Sequence, residues 1–272
     1  MANIYPAPQT AAHAEPWIEK LARVGYAAKG VIYTLIGVLA LVAAAGPGGK
    51  TTNQAGAINT IAKQPFGFAL LLAVGVGLIG YALWRVIQAL WNPEHKKAIK
   101  RIGYVASGLA YGGFGYAAIK AGLTGERAQS QSRENAATLM SLPFGQLLLF
   151  ALGAIFLAVG LGQIVNGFAG NFMKVLETAR MSPEERKAAR WFGGLGLMAR
   201  GVLFGLVGWF MFQAAMDRQP SEVGGLERGL QTIAKWPGGP VLLGLMAVGL
   251  ICYGLYNFVE SKYREMTPAL RA

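Results

Sequence analysis

The chain of 272 residues is poor in charge, since 14% of its residues are charged and 54% are apolar, whereas soluble globular proteins average about 25% charged residues. This composition excludes an ordinary soluble domain. The single cysteine, Cys252, excludes an intramolecular disulfide framework and a multi-cysteine metal site. The two histidines, His13 and His95, lie in polar stretches, which excludes a haem held between membrane-buried histidines. We therefore expect no cofactor and no metal.

Six apolar stretches predict an all-α integral membrane protein. Each stretch has about the 20 residues that a helix needs to cross a bilayer. Runs such as VIYTLIGVLALVAAA are continuous, whereas the strands of a membrane barrel alternate over about 10 residues. Helices are therefore favoured over a barrel. The predicted spans are 24–45, 66–91, 102–121, 144–168, 192–215 and 238–259.

Lysine and arginine are concentrated on one side of these spans. Of the 25, 17 lie toward the termini and the connections near 92–101 and 169–191, and eight lie on the other side. Because cytoplasmic loops carry an excess of these residues, both termini are predicted to be cytoplasmic. The net charge of +12 is then explained by topology and by anionic lipid headgroups on the cytoplasmic side, and nucleic acid is not an expected partner.

The chain repeats itself in three units of two helices. The odd spans align without gaps as ARVGYAAKGVIYTLIGVL, KRIGYVASGLAYGGFGYA and GGLGLMARGVLFGLVGWF. The even spans repeat as well, and each follows a short segment that ends at Pro65, Pro143 or Pro237. Apolar residues at helical spacing predict a short interfacial helix before each proline. Four positions of the odd spans keep glycine or an aromatic residue: Gly25, Gly103 and Gly196; Gly30, Gly108 and Gly201; Tyr33, Tyr111 and Phe204; Gly37, Gly115 and Gly208.

Charged leaders precede the odd spans and open with Pro16, Pro93 and Pro183. Proline suits the first turn of a helix, and Ser182 with Glu185 matches a capping box. Each odd helix should thus begin in the cytoplasm. The predicted division is a cytoplasmic N-terminal tail (1–15), repeats at 16–91, 92–168 and 183–262, a cytoplasmic linker (169–182) and a cytoplasmic C-terminal tail (263–272).

Three tandem pairs of helices with this glycine and aromatic pattern resemble a bacterial family known as domain-of-unknown-function family 1206. The resemblance covers about residues 17–262. It implies a bacterial inner-membrane protein and carries no activity with it. Because each unit contains an even number of spans, all three enter the membrane in the same sense. We therefore expect a six-helix bundle with a pseudo-threefold axis along the membrane normal.

The repeated glycines are predicted to pack helices. Glycines at i and i+7, such as Gly30 and Gly37, share one helix face and let neighbouring backbones approach closely in a membrane. The aromatic position lies on the same face and is predicted to pack there too. A tyrosine hydroxyl in lipid needs a partner, so Tyr33 and Tyr111 should form hydrogen bonds inside the bundle.

Polar side chains inside the spans are costly and are therefore candidates for a functional site. One repeat position holds Lys29, Ser107 and Arg200, and a second holds Arg85, Gln163 and Asn257. Two interpretations remain open: cations that extend to the interface beside polar helix ends, or an inward-facing site that attracts an anion. A third position, one turn onward, holds Gln88, Asn166 and Glu260.

Catalysis is not expected, because the spans contain no pair of acids, and Ser107 and Ser141 have no adjacent base in the sequence. Two functions remain. The first is transport or conduction of a small solute, which includes an anion, and is favoured by the repeats and by the different polar residues at equivalent positions. The second is a non-transporting scaffold or stress-related interaction protein whose glycines only pack helices. Self-association is compatible with both.

Overall fold

The structure is a computed structural model that describes residues 16–46, 51–91, 98–128, 132–223 and 225–265. The predicted N-terminal tail and the leader around Pro93 lie outside these ranges, as does most of the C-terminal tail. Within the described residues the regular structure is helical, and the β-type pairing is one isolated bridge between Leu176 and Arg264. The all-α prediction is thus confirmed for this part of the chain.

Long and short helices alternate along the chain. The three short helices have nine residues each and end just before Pro65, Pro143 and Pro237, which confirms the prediction of a short helix there. The helices are α1 (Pro16–Ala45), α2 (Gln54–Ala62), α3 (Gly67–Trp91), α4 (Ala98–Thr124), α5 (Ser132–Met140), α6 (Gly145–Ala169), α7 (Pro183–Met216), α8 (Leu226–Ala234) and α9 (Gly239–Tyr263).

Local signals in the sequence set the ends of these helices. The Ser182 hydroxyl accepts a hydrogen bond from the Glu185 amide, and the Glu185 carboxylate accepts one from the Ser182 amide, so the predicted capping box is present. A residue in the left-handed backbone region lies directly before each of α3, α6 and α9 and directly after the repeated proline. The left-handed turn position itself is occupied by Phe66, Phe144 and Gly238.

Five helices of the described chain are long and apolar enough to cross a membrane: α1, α3, α6, α7 and α9. Helix α4 is not among them. Its sequence, AIKRIGYVASGLAYGGFGYAAIKAGLT, mixes its apolar residues with many glycines, three tyrosines and a serine. These residues lower its mean hydropathy, although its length of 27 residues is sufficient.

The predicted cytoplasmic linker is ordered by the end of α9. Residues 171–175 and 178–180 form short 3-10 turns. The Glu177 amide donates to the Tyr263 carbonyl at 2.8 Å, and the Glu265 amide donates to the Val175 carbonyl at 2.9 Å. The segment between the second and third repeats is thus fixed to the end of the third.

Contacts place the long helices in the spatial order α4, α3, α1, α9, α7, α6. The closest pairs are α3 with α4, α1 with α9, and α6 with α7, and each pair joins the second helix of one repeat to the first helix of another. This row of helices is curved, because the Tyr33 hydroxyl on α1 lies 3.1 Å from the Tyr111 hydroxyl on α4. Within the described residues its two ends, α4 and α6, are not packed against each other.

The three closest helix pairs use the same repeat positions. At each one, a glycine of the first helix faces a backbone carbonyl of the neighbouring helix, so that an added Cβ would lie within close range of that oxygen. This is the close backbone approach that drives helix association in lipid. The distances from such a Cβ are 3.0 Å from Gly30 to the Gly254 oxygen, 3.3 Å from Gly108 to the Ala82 oxygen and 2.6 Å from Gly201 to the Gly160 oxygen.

Gly103 differs from its equivalents in the other repeats. A Cβ on Gly25 would lie 2.6 Å from Tyr81 Cβ, and one on Gly196 would lie 2.5 Å from Tyr253 Cα, both within the same repeat. A Cβ on Gly103 would meet no described atom within 4 Å. Gly103 is therefore not a packing glycine, because the helix that would face it, α6, lies away from α4.

This difference predicts opposite effects of one substitution at one repeat position. Gly196→Ala should lower the free energy of unfolding by about 1–3 kcal/mol, because the methyl group overpacks against the α9 backbone. Gly103→Ala should leave stability unchanged or raise it slightly, because alanine favours a helix more than glycine does. Thermal unfolding of the two purified variants in one detergent measures this. Equal destabilisation by both would contradict the open position of Gly103.

Candidate functional site

Lys29 lies in the interior of the bundle rather than on its outer surface. The side chain is 2% exposed. Its ammonium group donates to the Tyr81 hydroxyl on α3 at 3.2 Å and to the Tyr253 hydroxyl on α9 at 3.3 Å. A lysine that extends to the interface would instead place its ammonium outside the helices.

Tyrosine rings surround the same ammonium group. Rings within about 6 Å of a cation attract it through their electron-rich faces. Four helices contribute one ring each to what we call the tyrosine cage. The distances from the Lys29 Nζ to the ring centroids are 4.5 Å for Tyr81, 5.2 Å for Tyr111, 5.4 Å for Tyr26 and 5.6 Å for Tyr253.

Arg85 binds the tyrosine cage from α3. Its Nε donates to the Tyr81 hydroxyl at 2.7 Å, and its Nη1 donates to the Gln88 Oε1 at 2.9 Å. The Tyr81 oxygen therefore accepts hydrogen bonds from both Lys29 and Arg85, which uses both of its lone pairs. One hydroxyl joins two cations in this way.

Arg200 approaches the cage from α7. Its Nη1 donates to the Gln163 Oε1 on α6 at 2.9 Å. The guanidinium carbon lies 4.4 Å from the Phe204 ring centroid and 5.0 Å from that of Tyr253. The Arg200 Nε and the Gln163 Nε2 are buried without a hydrogen-bond partner among the described residues. These are two donors available to an acceptor.

The tyrosines also contact one another. Tyr33 and Tyr111 share a hydrogen bond of 3.1 Å between their hydroxyl oxygens. Edge-to-face contacts join Tyr33 to Tyr253 at 4.7 Å and Tyr81 to Tyr111 at 4.8 Å between ring centroids. Aromatic rings therefore fill much of the space between the cations.

Two of the six polar residues singled out from the sequence do not bind this cluster. Asn257 is fully buried, but its Nδ2 donates to the Tyr253 carbonyl of its own helix at 2.6 Å. Ser107 is partly buried and makes no side-chain hydrogen bond among the described residues. The cluster brings together Lys29, Arg85, Arg200 and Gln163.

The sequence reasoning missed Tyr81 and Tyr253, which accept hydrogen bonds from Lys29. Both occupy one repeat position, in GLIGYALWR and GLICYGLYN, and the middle repeat has Val159 there. Two tyrosines at equivalent positions of membrane helices were the available signal, because each hydroxyl needs a partner in lipid.

The cluster carries an excess of positive charge. Within the described residues no ion pair joins Lys29, Arg85 or Arg200 to a carboxylate, and the nearby Glu260 is paired with Arg264 instead. Like charges repel strongly where the dielectric constant is low. The arrangement therefore favours a negatively charged group between or beside these cations.

Comparison with known proteins identifies the three repeats. A family model described as a domain of unknown function, DUF1206, matches residues 24–92, 102–170 and 195–264. The chain belongs to this family. The match confirms the threefold repeat and the resemblance noted from the sequence. Each matched segment of this family member contains two long helices with one short helix between them.

One relative is similar over nearly its whole length. The uncharacterized protein YxxB of Bacillus subtilis (strain 168) is 32% identical over 258 residues, which cover 93% of this chain and 94% of that protein. No solved structure matches this family member.

The hydrogen bonds predict different effects for two tyrosines in edge-to-face contact with each other. Tyr81→Phe should lower the free energy of unfolding by about 1–3 kcal/mol, because it removes the acceptor shared by Lys29 and Arg85. Tyr26→Phe should have little effect or stabilise, since the Tyr26 hydroxyl is buried without a partner among the described residues. Thermal unfolding in detergent measures both. A larger loss for Tyr26→Phe than for Tyr81→Phe would contradict this hydrogen-bond assignment.

Proposed function

We propose that this protein binds a small anion at the cluster of Lys29, Arg85 and Arg200 and transports it across the bacterial inner membrane. The observation that carries the proposal is the gathering of three cations between apolar helices: Lys29 is buried, Arg85 and Arg200 are half-buried, and none is paired with a carboxylate among the described residues. A charge inside a span is costly, and the cost reaches roughly 2.5–3.5 kcal/mol at the centre on insertion scales. An anion bound beside the three cations lowers their mutual repulsion.

We also propose that α4 is the sixth span and that the three repeats are related by a pseudo-threefold axis. Support for the sixth span comes from its length of 27 residues and from the Tyr33–Tyr111 contact with α1. Support for the axis comes from the repeated glycine-to-carbonyl contacts at three helix pairs. Lys29 and Arg200 then share one depth and both point toward the axis.

In the proposed orientation both termini and the linker are cytoplasmic, and anionic headgroups contact the basic residues on that side. We expect an impermeant thiol reagent, applied to intact cells, to label Ser221→Cys and Gln64→Cys in a Cys252→Ala background. Glu184→Cys should react only after the cells are opened. All three side chains belong to exposed residues, so access alone decides the result, and the reverse pattern would contradict the orientation.

Transport can be tested by anion flux into proteoliposomes. We expect the parent protein to admit a small anion such as nitrate, chloride or phosphate faster than empty vesicles do. Lys29→Gln/Arg200→Gln should reduce this flux at least tenfold, since hydrogen bonds to charged groups contribute about 1.5–3 kcal/mol each. The matched control is Lys63→Gln/Lys235→Gln, which removes the same charge from exposed positions. Equal flux through the parent and the site variant, or none through either, would contradict transport.

A non-transporting scaffold is the second candidate. The edge-to-face tyrosine contacts that occupy the centre favour it, because interlocked rings stabilise a packed core. In a scaffold, the cluster of Lys29, Arg85 and Arg200 would serve only to hold the helices together. The scaffold predicts no flux from the parent protein, together with a loss of thermal stability in the Lys29→Gln/Arg200→Gln variant. Neither function requires a catalytic step.

A further inference from the structure

The two helices of the middle repeat are separated, unlike those of the other repeats. Helix α1 packs against α3, and α7 packs against α9, whereas α4 packs mainly on α3 and α6 packs mainly on α7. We call the space between them the α4–α6 cleft. Its walls are formed by residues equivalent to those that close the other two repeats: Gly103 and Ala106 on α4, and Ile155, Ala158, Val159 and Gly162 on α6.

Burial differs at these equivalent positions. All six wall residues are exposed. Their equivalents in the first and third repeats are all buried: Gly25, Ala28, Gly77, Gly80, Tyr81 and Trp84, and Gly196, Ala199, Gly249, Cys252, Tyr253 and Tyr256. The separation therefore affects a whole helix face and not a single contact.

The sequence of the middle repeat accounts for the separation. Gly77 and Gly249 meet the facing helix closely, since an added Cβ would lie 2.9 Å from Ala28 Cβ and 2.4 Å from Ala199 Cβ. The middle repeat has the bulkier Ile155 at this position. It also has Gly162 where Trp84 and Tyr256 fill the other repeats, and a Cβ there would meet no described atom within 4 Å. The cleft thus has small and aliphatic walls.

Polar groups of the cation cluster lie beneath the cleft. Gln163, next to Gly162 on α6, accepts from Arg200, and the Arg200 guanidinium lies 5.9 Å from the Tyr33 ring centroid. Tyr33 in turn is hydrogen-bonded to Tyr111 on α4. These four side chains connect α6 to α4, and they include the two buried unpaired donors, Arg200 Nε and Gln163 Nε2.

We propose that an anionic phospholipid enters the α4–α6 cleft from the bilayer, with its phosphate on Arg200 and Gln163 and an acyl chain between the two helices. The inference rests on the proposed anion site and names its ligand class. Arg200 lies five residues beyond Leu195, the equivalent of Val24 at the start of the first apolar stretch. Five helical residues correspond to about 7.5 Å, a depth that a headgroup and a long arginine side chain can bridge together.

A phospholipid fits this surface better than a second protein helix does. Its acyl chain matches the apolar walls, and its phosphate supplies both negative charge and acceptor oxygens for the unpaired donors. An apolar helix from a second copy would cover the walls but leave those donors and the positive charge unmatched. The charge of the cluster therefore decides between the two occupants.

Lipid binding to the purified full chain tests the proposal. Native mass spectrometry would follow titration with phosphatidylglycerol, with phosphatidylcholine of the same acyl chains, and with inorganic phosphate. We expect the parent protein to bind phosphatidylglycerol at least tenfold more tightly than phosphatidylcholine. Arg200→Gln should abolish this preference, and Gly162→Trp should block phosphatidylglycerol by filling the cleft.

The matched control is Leu161→Trp, which adds the same side chain one residue away on the exposed outer face of α6. It should bind phosphatidylglycerol like the parent. Because Gly162 is exposed and faces open space, Gly162→Trp should fold, which an unchanged melting temperature verifies. Unchanged phosphatidylglycerol binding by folded Gly162→Trp would overturn the proposal, as would a dimer linked through Gly162→Cys in a Cys252→Ala background.

The phosphate titration separates this proposal from the proposed function. Inorganic phosphate that binds the parent and not Arg200→Gln, without a preference for phosphatidylglycerol, would overturn the lipid proposal and leave the anion site in place. If Arg200→Gln changes the binding of neither phosphate nor phosphatidylglycerol, the proposed anion site is itself contradicted.

Discussion

The contact between the Lys29 ammonium and the hydroxyls of Tyr81 and Tyr253 is the interaction on which the rest of the interior depends. It places a charged group among helices that are otherwise apolar, where desolvation is expensive unless hydrogen bonds and rings replace water. Tyr81 can accept from Lys29 only if α1 and α3 are close, and Tyr253 only if α1 and α9 are close. One lysine therefore fixes three helices relative to one another.

The glycine contacts make that proximity attainable. Helices in lipid gain little from burying apolar side chains, so close backbone approach and polar contacts must hold them together. The same pair of repeat positions provides this approach at three helix pairs. The same helix packing then carries different side chains: Lys29 and Arg200 bring charge where Ser107 brings none, and the middle repeat has Val159 at the position of Tyr81 and Tyr253. The helix packing is thus repeated in the three units, whereas the cluster of cations and tyrosines is asymmetric.

Local patterns in the sequence were enough to predict the helices, the three short helices before prolines, the capping box at Ser182 and the threefold repeat. Each depends on neighbouring residues or on comparing the chain with itself. The direction of Lys29 could not be predicted, because both the interface and the interior lie within reach of its flexible side chain. Only the position of the Tyr81 and Tyr253 hydroxyls distinguishes these directions. The prediction that Gly103 packs helices was wrong, because Gly103 keeps the repeated glycine although α6, which has Ile155 in place of Gly77 and Gly249, does not pack against α4.

The central claim is that Lys29 and Arg200 converge in the interior of the bundle. An experimental structure of the full chain in a bilayer that contains phosphatidylglycerol tests it most directly, through the density of these two side chains. The account predicts the Lys29 ammonium within hydrogen-bond distance of the Tyr81 and Tyr253 hydroxyls, Arg200 on Gln163, and an anionic group beside Arg200. Density that places either Lys29 or Arg200 on the lipid-facing surface, extended toward the headgroups, would contradict it.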